Sequence, residues 1–197
     1  MIIGNSIKRE MRNSDFFFAA AFFILAAGVI SGSIYLLKTA DVSGEGIKSY
    51  LETFMKSGIE KNKLDVCKCA FKENLIIFLI IFISGFFRFG IVFSAAAVIR
   101  KGFVIGFTVS SFIKFYGLNG LLIMSATMPS LLIIIPALLI FLAISVNFSL
   151  SKKKNQKNFI FSYIFFGIFI FTIFCAAAFS EGYLTTTFMK WSFPKYN

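Results

Sequence analysis

The sequence predicts an all-α integral membrane protein. It would have about five transmembrane helices in a single polytopic membrane domain, residues 1–197, plus an extracytoplasmic amphipathic helix. Three observations predict it. The chain is 58% hydrophobic and holds 29 Phe among 197 residues, above the roughly 45–50% apolar content of soluble domains; its mean hydropathy is +0.84. The apolar residues fall in long uncharged runs, as membrane spans require. The basic residues gather beside those runs, where they set orientation and meet anionic lipid. The formal charge of +11 is therefore read as a membrane signal. No nucleic-acid-binding motif accompanies it, so membrane lipid is an expected partner and nucleic acid is not.

The first span is 16–37. As a helix it is about 33 Å long, enough for a hydrocarbon core of about 30 Å. Lys8, Arg9 and Arg12 precede it. The apolar core of a signal peptide is shorter, about 7–15 residues, so an uncleaved span is expected. Residues 38–73 follow with seven Lys and six acidic residues and are expected to form a folded helical segment outside. Within it Ile47, Tyr50, Leu51, Phe54, Met55 and Ile59 recur on one face of a helix over about 46–60. Lys48, Glu52 and Lys56 pair at i, i+4 on the other face. That helix either lies on the bilayer or bundle, or docks a partner helix.

The second span is 74–99, interrupted by Arg88 and ended by Arg100-Lys101. The third is 102–116 and the fourth 120–150 with proline breaks. After the four lysines of SKKKNQKN (151–158), the fifth is 159–180. The positive-inside rule places Lys8/Arg9/Arg12, Arg100/Lys101 and Lys152/Lys153/Lys154/Lys157 in the cytoplasm. The N-terminus is then cytoplasmic, and 38–73 and the C-terminus are outside a bacterial cell membrane.

Residues 117–150 would span about 51 Å as one straight helix, so a break is expected. Pro129 and Pro136 supply it, with Ser130–Ile135 irregular or kinked and Pro136 opening a new helical arm. Such breaks recur at transporter sites; they also serve helix packing. Arg88 lies within an apolar span, where a central Arg costs about 2.5–3.5 kcal/mol. It is expected to turn toward protein and meet backbone carbonyls or Glu181, as a strut or as a selectivity or partner site. Gly28/Gly32 and Gly102/Gly106 form two GxxxG patterns, which fit dimerisation and packing within the bundle equally.

The chemistry of catalysis is sparse. The chain has no His, which removes Ser-His and Cys-His nucleophiles and HExxH zinc sites. No GxGxxG or P-loop pattern occurs. Cys67 and Cys69 fall short of a structural zinc set. No acidic residue lies within an expected span. Catalytic, cofactor and metal residues are therefore expected to be none. A Ser-Lys hydrolase is a third reading, behind a scaffold and a small-solute channel or transporter using the broken span and Arg88.

Four stretches carry a family resemblance: AFKENL (70–75), RKGFVIGFTVSSFIKFYGLNGLLI (100–123), MPSLLIIIPALL (128–139) and SEGYL (180–184). With them, most of the chain resembles the stage II sporulation protein M family. The GF-x-x-GFT segment falls on Gly102, Phe103, Gly106, Phe107 and Thr108, followed by Gly117, Gly120, Pro129 and Pro136. Asn74 matches the asparagine that opens the second span and Glu181 the acid after the last; Ser130 stands where the family often has a larger polar residue. The resemblance implies a non-catalytic membrane scaffold in endospore-forming bacteria. It would hold two peptidoglycan-degrading proteins, stage II sporulation proteins D and P, on the mother-cell side of the septum during engulfment.

Overall fold

A computed structural model describes residues 2–60, 63–125, 127–150, 157–185 and 187. Among them are six α-helices, one π turn and no strand. The helices are α1 (Ile2–Glu60), α2 (Lys63–Gly85), α3 (Gly90–Tyr116), α4 (Leu118–Ser125), α5 (Met128–Leu150) and α6 (Lys157–Ser180); the π turn is Glu181–Thr185. The chain is an all-α membrane protein. Among the described residues four segments are long and apolar enough to span: Phe16–Ala40, Gly90–Tyr116, Met128–Leu150 and Lys157–Thr185. α2 is a fifth long helix, but five charged residues occupy Lys63–Glu73. Its apolar part, Asn74–Gly85, is only about 18 Å long.

The side-chain contacts fix the directions. Along α1, Gly28 faces Ile99 and Gly102, Gly32 faces Phe103 and Phe107, and Gly44 faces Phe115. α1 and α3 therefore run parallel. α2 folds back on α3 through a tight turn at 86–89. Phe78 stacks on Phe141 of α5 at 5.0 Å, and Ser149 of α5 bonds to Phe87, so α5 runs with α2. Phe82 stacks on Tyr163 of α6 at 5.3 Å, while Cys67 meets Gly182, so α6 opposes α2. One end of the bundle thus collects the 86–89 turn, Leu150 and Lys157. The opposite end, the arm end, collects residues 44–60 of α1, which form the arm, together with α4 and the π turn.

Several boundaries differ from the sequence expectation. Residues 74–99 are not one span, because the chain reverses at 86–89 and Arg88 is exposed in that turn. Gly85 and Gly90 bracket the reversal, and a side chain at Gly90 would run into the Ser84 carbonyl. Arg100-Lys101 ends no span: both lie inside α3, which joins 90–99 to the expected third span 102–116. The outer helix expected at about 46–60 is, by contrast, a helix of its own: the backbone leaves helical geometry at Ser43 (φ −126°, ψ 24°), and a kink there joins it directly to the first span.

The proline expectation also changes. The interruption of 120–150 falls upstream, where α4 ends at Ser125 and α5 starts at Met128. Pro129 sits in the first turn of α5, where its missing N–H is no loss. Ser130–Ile135 are regular helix and Pro136 lies inside it. Upstream, Gly117 closes α3 with positive φ (57°) and donates its N–H to the Ile113 carbonyl, a conformation suited to glycine.

The core joins α2, α3, α5 and α6 through Ile81, Val98, Leu138, Phe141, Leu142 and Phe174, each at most 2% exposed. A helix leaves its last carbonyls without partners; at the end of α2 the turn serves some of them, Phe86 N–H donating to Ile83, Phe87 N–H to Ser84 and Gly90 N–H to Phe87. Side chains of neighbouring helices add further donors. Ser145 donates to Ile81 at 3.0 Å, Tyr163 to Phe82 at 3.0 Å, and Ser149 to Phe87 in the turn at 2.7 Å.

Candidate functional site

Two features arise where α1 packs on α3. The first is the contact itself. A Cβ added at Gly28 would lie 2.5 Å from the Ile99 carbonyl oxygen, and one at Gly102 would lie 2.6 Å from that of Leu25. Added Cβ atoms at Gly32 and Gly106 would strike the Phe103 and Val29 carbonyls. The four glycines of the two GxxxG patterns thus face each other inside one chain, and the backbones touch because no side chain separates them. Ser110 donates to Ser33 beside this seam at 2.9 Å.

The second feature is a cavity of about 490 Å³ between the arm, α3, α4, α5 and the end of α6. The arm is held over it by a small cluster in which Leu51, Phe112 and Met124 are buried and Ile47 packs alongside. Tyr50 and Leu51 form the arm's share of the wall; α3 gives Lys101, Val104, Thr108 and Phe112; α5 gives Ser130, Leu131 and Ile134; Ala177 and Glu181 close it. The π turn starts at Glu181, so the chain widens where α6 ends, a geometry often found at functional positions.

Three charged residues line this cavity: Glu73, Lys101 and Glu181. Lys101 Nζ lies 4.0 Å from Glu73 Oε2, with the lysine side chain 16% and the glutamate side chain 70% exposed. Glu181 is within electrostatic reach of both. Lys101 is about 17 Å along α3 from Gly90, well inside the helix. Nearby, Asn74 is 2% exposed. Its Nδ2 and the hydroxyls of Ser180 and Thr185 have no hydrogen-bond partner among the described residues. Leaving such groups unpaired costs about 1–3 kcal/mol each.

The structure gathers some of the expected site residues and disperses others. Tyr50, Leu51 and Glu181 meet at the cavity, and Asn74 follows Glu73 on α2. Arg88 does not approach Glu181, since the turn holds it at the opposite end of the bundle. Pro129 and Pro136 do not line the cavity, although Ser130 does. The side chains of Phe54, Met55 and Ile59 lie outside the described residues, as do Lys152–Lys154. Sequence reasoning missed Glu73 and Lys101 because it assigned them to opposite faces of a membrane. A signal was present: they are equidistant along the chain from Phe87, the middle of the turn, and an antiparallel hairpin brings such positions side by side.

A family model described as Stage II sporulation protein M matches residues 19–186. Comparison with curated proteins and with solved structures gives no match.

Proposed function

Because the chain belongs to the stage II sporulation protein M family, and is by that membership a sporulation membrane protein, we propose that it is a non-catalytic scaffold holding peptidoglycan hydrolases at the membrane during engulfment. Its partners in this reading are stage II sporulation proteins D and P. The turn end faces the cytoplasm and the arm end faces the space between the mother-cell and forespore membranes. One observation supports this reading above others: the arm follows a membrane span directly across the kink at Ser43 and is pinned to α3 and α4 by Leu51. It therefore offers a fixed surface beyond the span, with Tyr50 68% exposed, as a docking platform needs.

The side-chain chemistry agrees with a role in holding, not cutting. Six of the seven buried serines among the described residues, Ser84, Ser94, Ser111, Ser130, Ser145 and Ser149, each donate to a backbone carbonyl. The seventh, Ser180, stands at the end of α6 beside Glu181 with its hydroxyl unpartnered among the described residues. Lys101 pairs with a carboxylate. A Ser-Lys nucleophile would need one of these hydroxyls turned toward an amine. The channel reading loses its two elements, since Arg88 is in the end turn and Pro136 continues a helix.

Co-purification from sporulating cells tests the proposal. The full chain should bring down proteins D and P, and Leu51→Asp should remain in the membrane but lose them. A wild-type chain that captures neither would refute the scaffold.

A further inference from the structure

The cavity at the arm end has a chemical bias of its own, independent of any scaffold role. At about 490 Å³ it falls in the range of small-molecule sites, which pair apolar walls with a few placed polar groups. Val104, Phe112, Met124, Leu131, Ile134 and Ala177 supply apolar walls. The polar lining is rich in acceptors, and its donors among the described residues are Tyr50 and Lys101. Thr108 Oγ1 gives its proton to the Val104 carbonyl at 2.7 Å, Thr127 Oγ1 to Met124 at 2.8 Å, and Ser130 Oγ to Thr127 at 2.9 Å. A hydroxyl has one proton, so these three can offer a ligand only lone pairs. Glu73 and Glu181, when ionised, are acceptors without exception. Among the described residues the lining's one cationic side chain, Lys101, lies 4.0 Å from Glu73.

Among the described residues, two carboxylates, when ionised, against one ammonium give the lining an excess of negative charge and of acceptors. An anion would meet repulsion from the two carboxylates. A neutral apolar molecule would leave the Glu181 carboxylate, when ionised, desolvated and without a donor from the ligand. A cation with N–H donors on an apolar body satisfies both parts of the site at once. We infer that this cavity binds an amphiphilic primary ammonium, its nitrogen between Glu73 and Glu181 and its apolar body against Leu131 and Ile134. Two sources carry that chemistry. One is the head group of an aminophospholipid, whose phosphate would meet Lys101. The other is a free aliphatic amine.

Thermal unfolding of the full chain in a neutral detergent, followed by far-UV circular dichroism, tests this. The probes are dodecylammonium, short-chain phosphatidylethanolamine, short-chain phosphatidylglycerol and dodecanol. An amine probe at a hundredfold excess over its Kd should raise Tm by roughly 5–10 °C. A rise with phosphatidylethanolamine alone assigns the lipid source, and a rise with dodecylammonium alone the free amine; a rise with both also supports the site. The double variant Glu73→Gln/Glu181→Gln should lose the rise. If that variant does not fold, Val104→Trp, which fills the cavity, should lose it instead. The inference is overturned if neither amine raises Tm, if dodecanol or phosphatidylglycerol does so equally, or if the variant that folds keeps the rise.

Discussion

The Tyr163 hydroxyl donates to the Phe82 carbonyl across 3.0 Å, so a side chain of α6 completes the backbone of α2. The same ring stacks on Phe148 of α5 with centroids 4.1 Å apart. One residue thereby ties three helices at the point where α2 stops inside apolar surroundings. Hydrocarbon offers no water to the orphaned carbonyls, so the donors must come from protein.

Tyr163→Phe keeps the stacked ring and removes the donor. Its expected cost is about 1–3 kcal/mol, that of a buried acceptor left unpaired. Equilibrium unfolding in detergent measures it. A variant as stable as the parent would show that the bond contributes nothing.

The α1–α3 seam gives a paired test. Gly106→Leu places a side chain into the Val29 backbone and should abolish or sharply reduce folded protein. Even Gly28→Ala should cost about 1–3 kcal/mol, as overpacking does. Gly46 is a helical glycine with nothing within 4 Å of an added Cβ. Gly46→Ala should be neutral or stabilise by up to about 1 kcal/mol. Yield and Tm of the three variants decide the matter.

The two prolines of α5 should behave differently. Pro136 lies within the helix and denies the Leu132 carbonyl its usual donor. Pro136→Ala restores that N–H, so Tm should rise, by an amount below the roughly 3 kcal/mol difference of the intrinsic scale. Pro129→Ala, in the first turn, should change Tm little. A large loss at Pro136 would mean the ring packs where an alanine cannot substitute.

Removing one member of the ion pair should be asymmetric. Glu73 is largely exposed, so Glu73→Gln should cost no more than about 1 kcal/mol. Lys101→Met leaves Glu73 and Glu181 facing each other without a cation and should cost more than Glu73→Gln. Lys101→Met/Glu73→Gln should recover part of that loss. A double-mutant cycle of unfolding free energies checks the order.

Sidedness is tested by thiol labelling. Cys69 is exposed on the charged half of α2, and Arg88 is exposed at the opposite end. Impermeant reagent applied outside intact cells should label Cys69 and not a cysteine placed at Arg88 in a chain lacking the native thiols. Labelling of both from one side would contradict the arrangement of α2.

The class of the molecule was legible because spanning lipid demands long uncharged helices, and 16–37 and 159–180 are such runs. The internal boundaries were less so. Apolar continuity from Asn74 to Ile99 concealed a reversal, since both arms of the hairpin are equally apolar. Only Gly85 and Gly90 around Arg88 mark it in the sequence. The same continuity misplaced Arg100-Lys101: the positive-inside rule reads paired basic residues as a span end and has no means of recognising a lysine neutralised across a hairpin. The outer helical face at Ile47, Tyr50 and Leu51 was visible from period alone. Its direct attachment to the first span was not, because periodicity marks a helical face and says nothing of how one helix joins the next; a single kink at Ser43 joins the two.

The hairpin of α2 and α3 also bears on how the nascent chain enters the bilayer. The apolar stretch of α2 is shorter than the roughly 17–25 residues that insert as an independent helix. It should therefore leave the translocon only together with α3, whose emergence supplies both Lys101 for Glu73 and the glycine seam awaited by α1. Synthesis stopped just after Gly85 should strand α2 in an aqueous compartment, and a glycosylation acceptor added beside it would report that stranding.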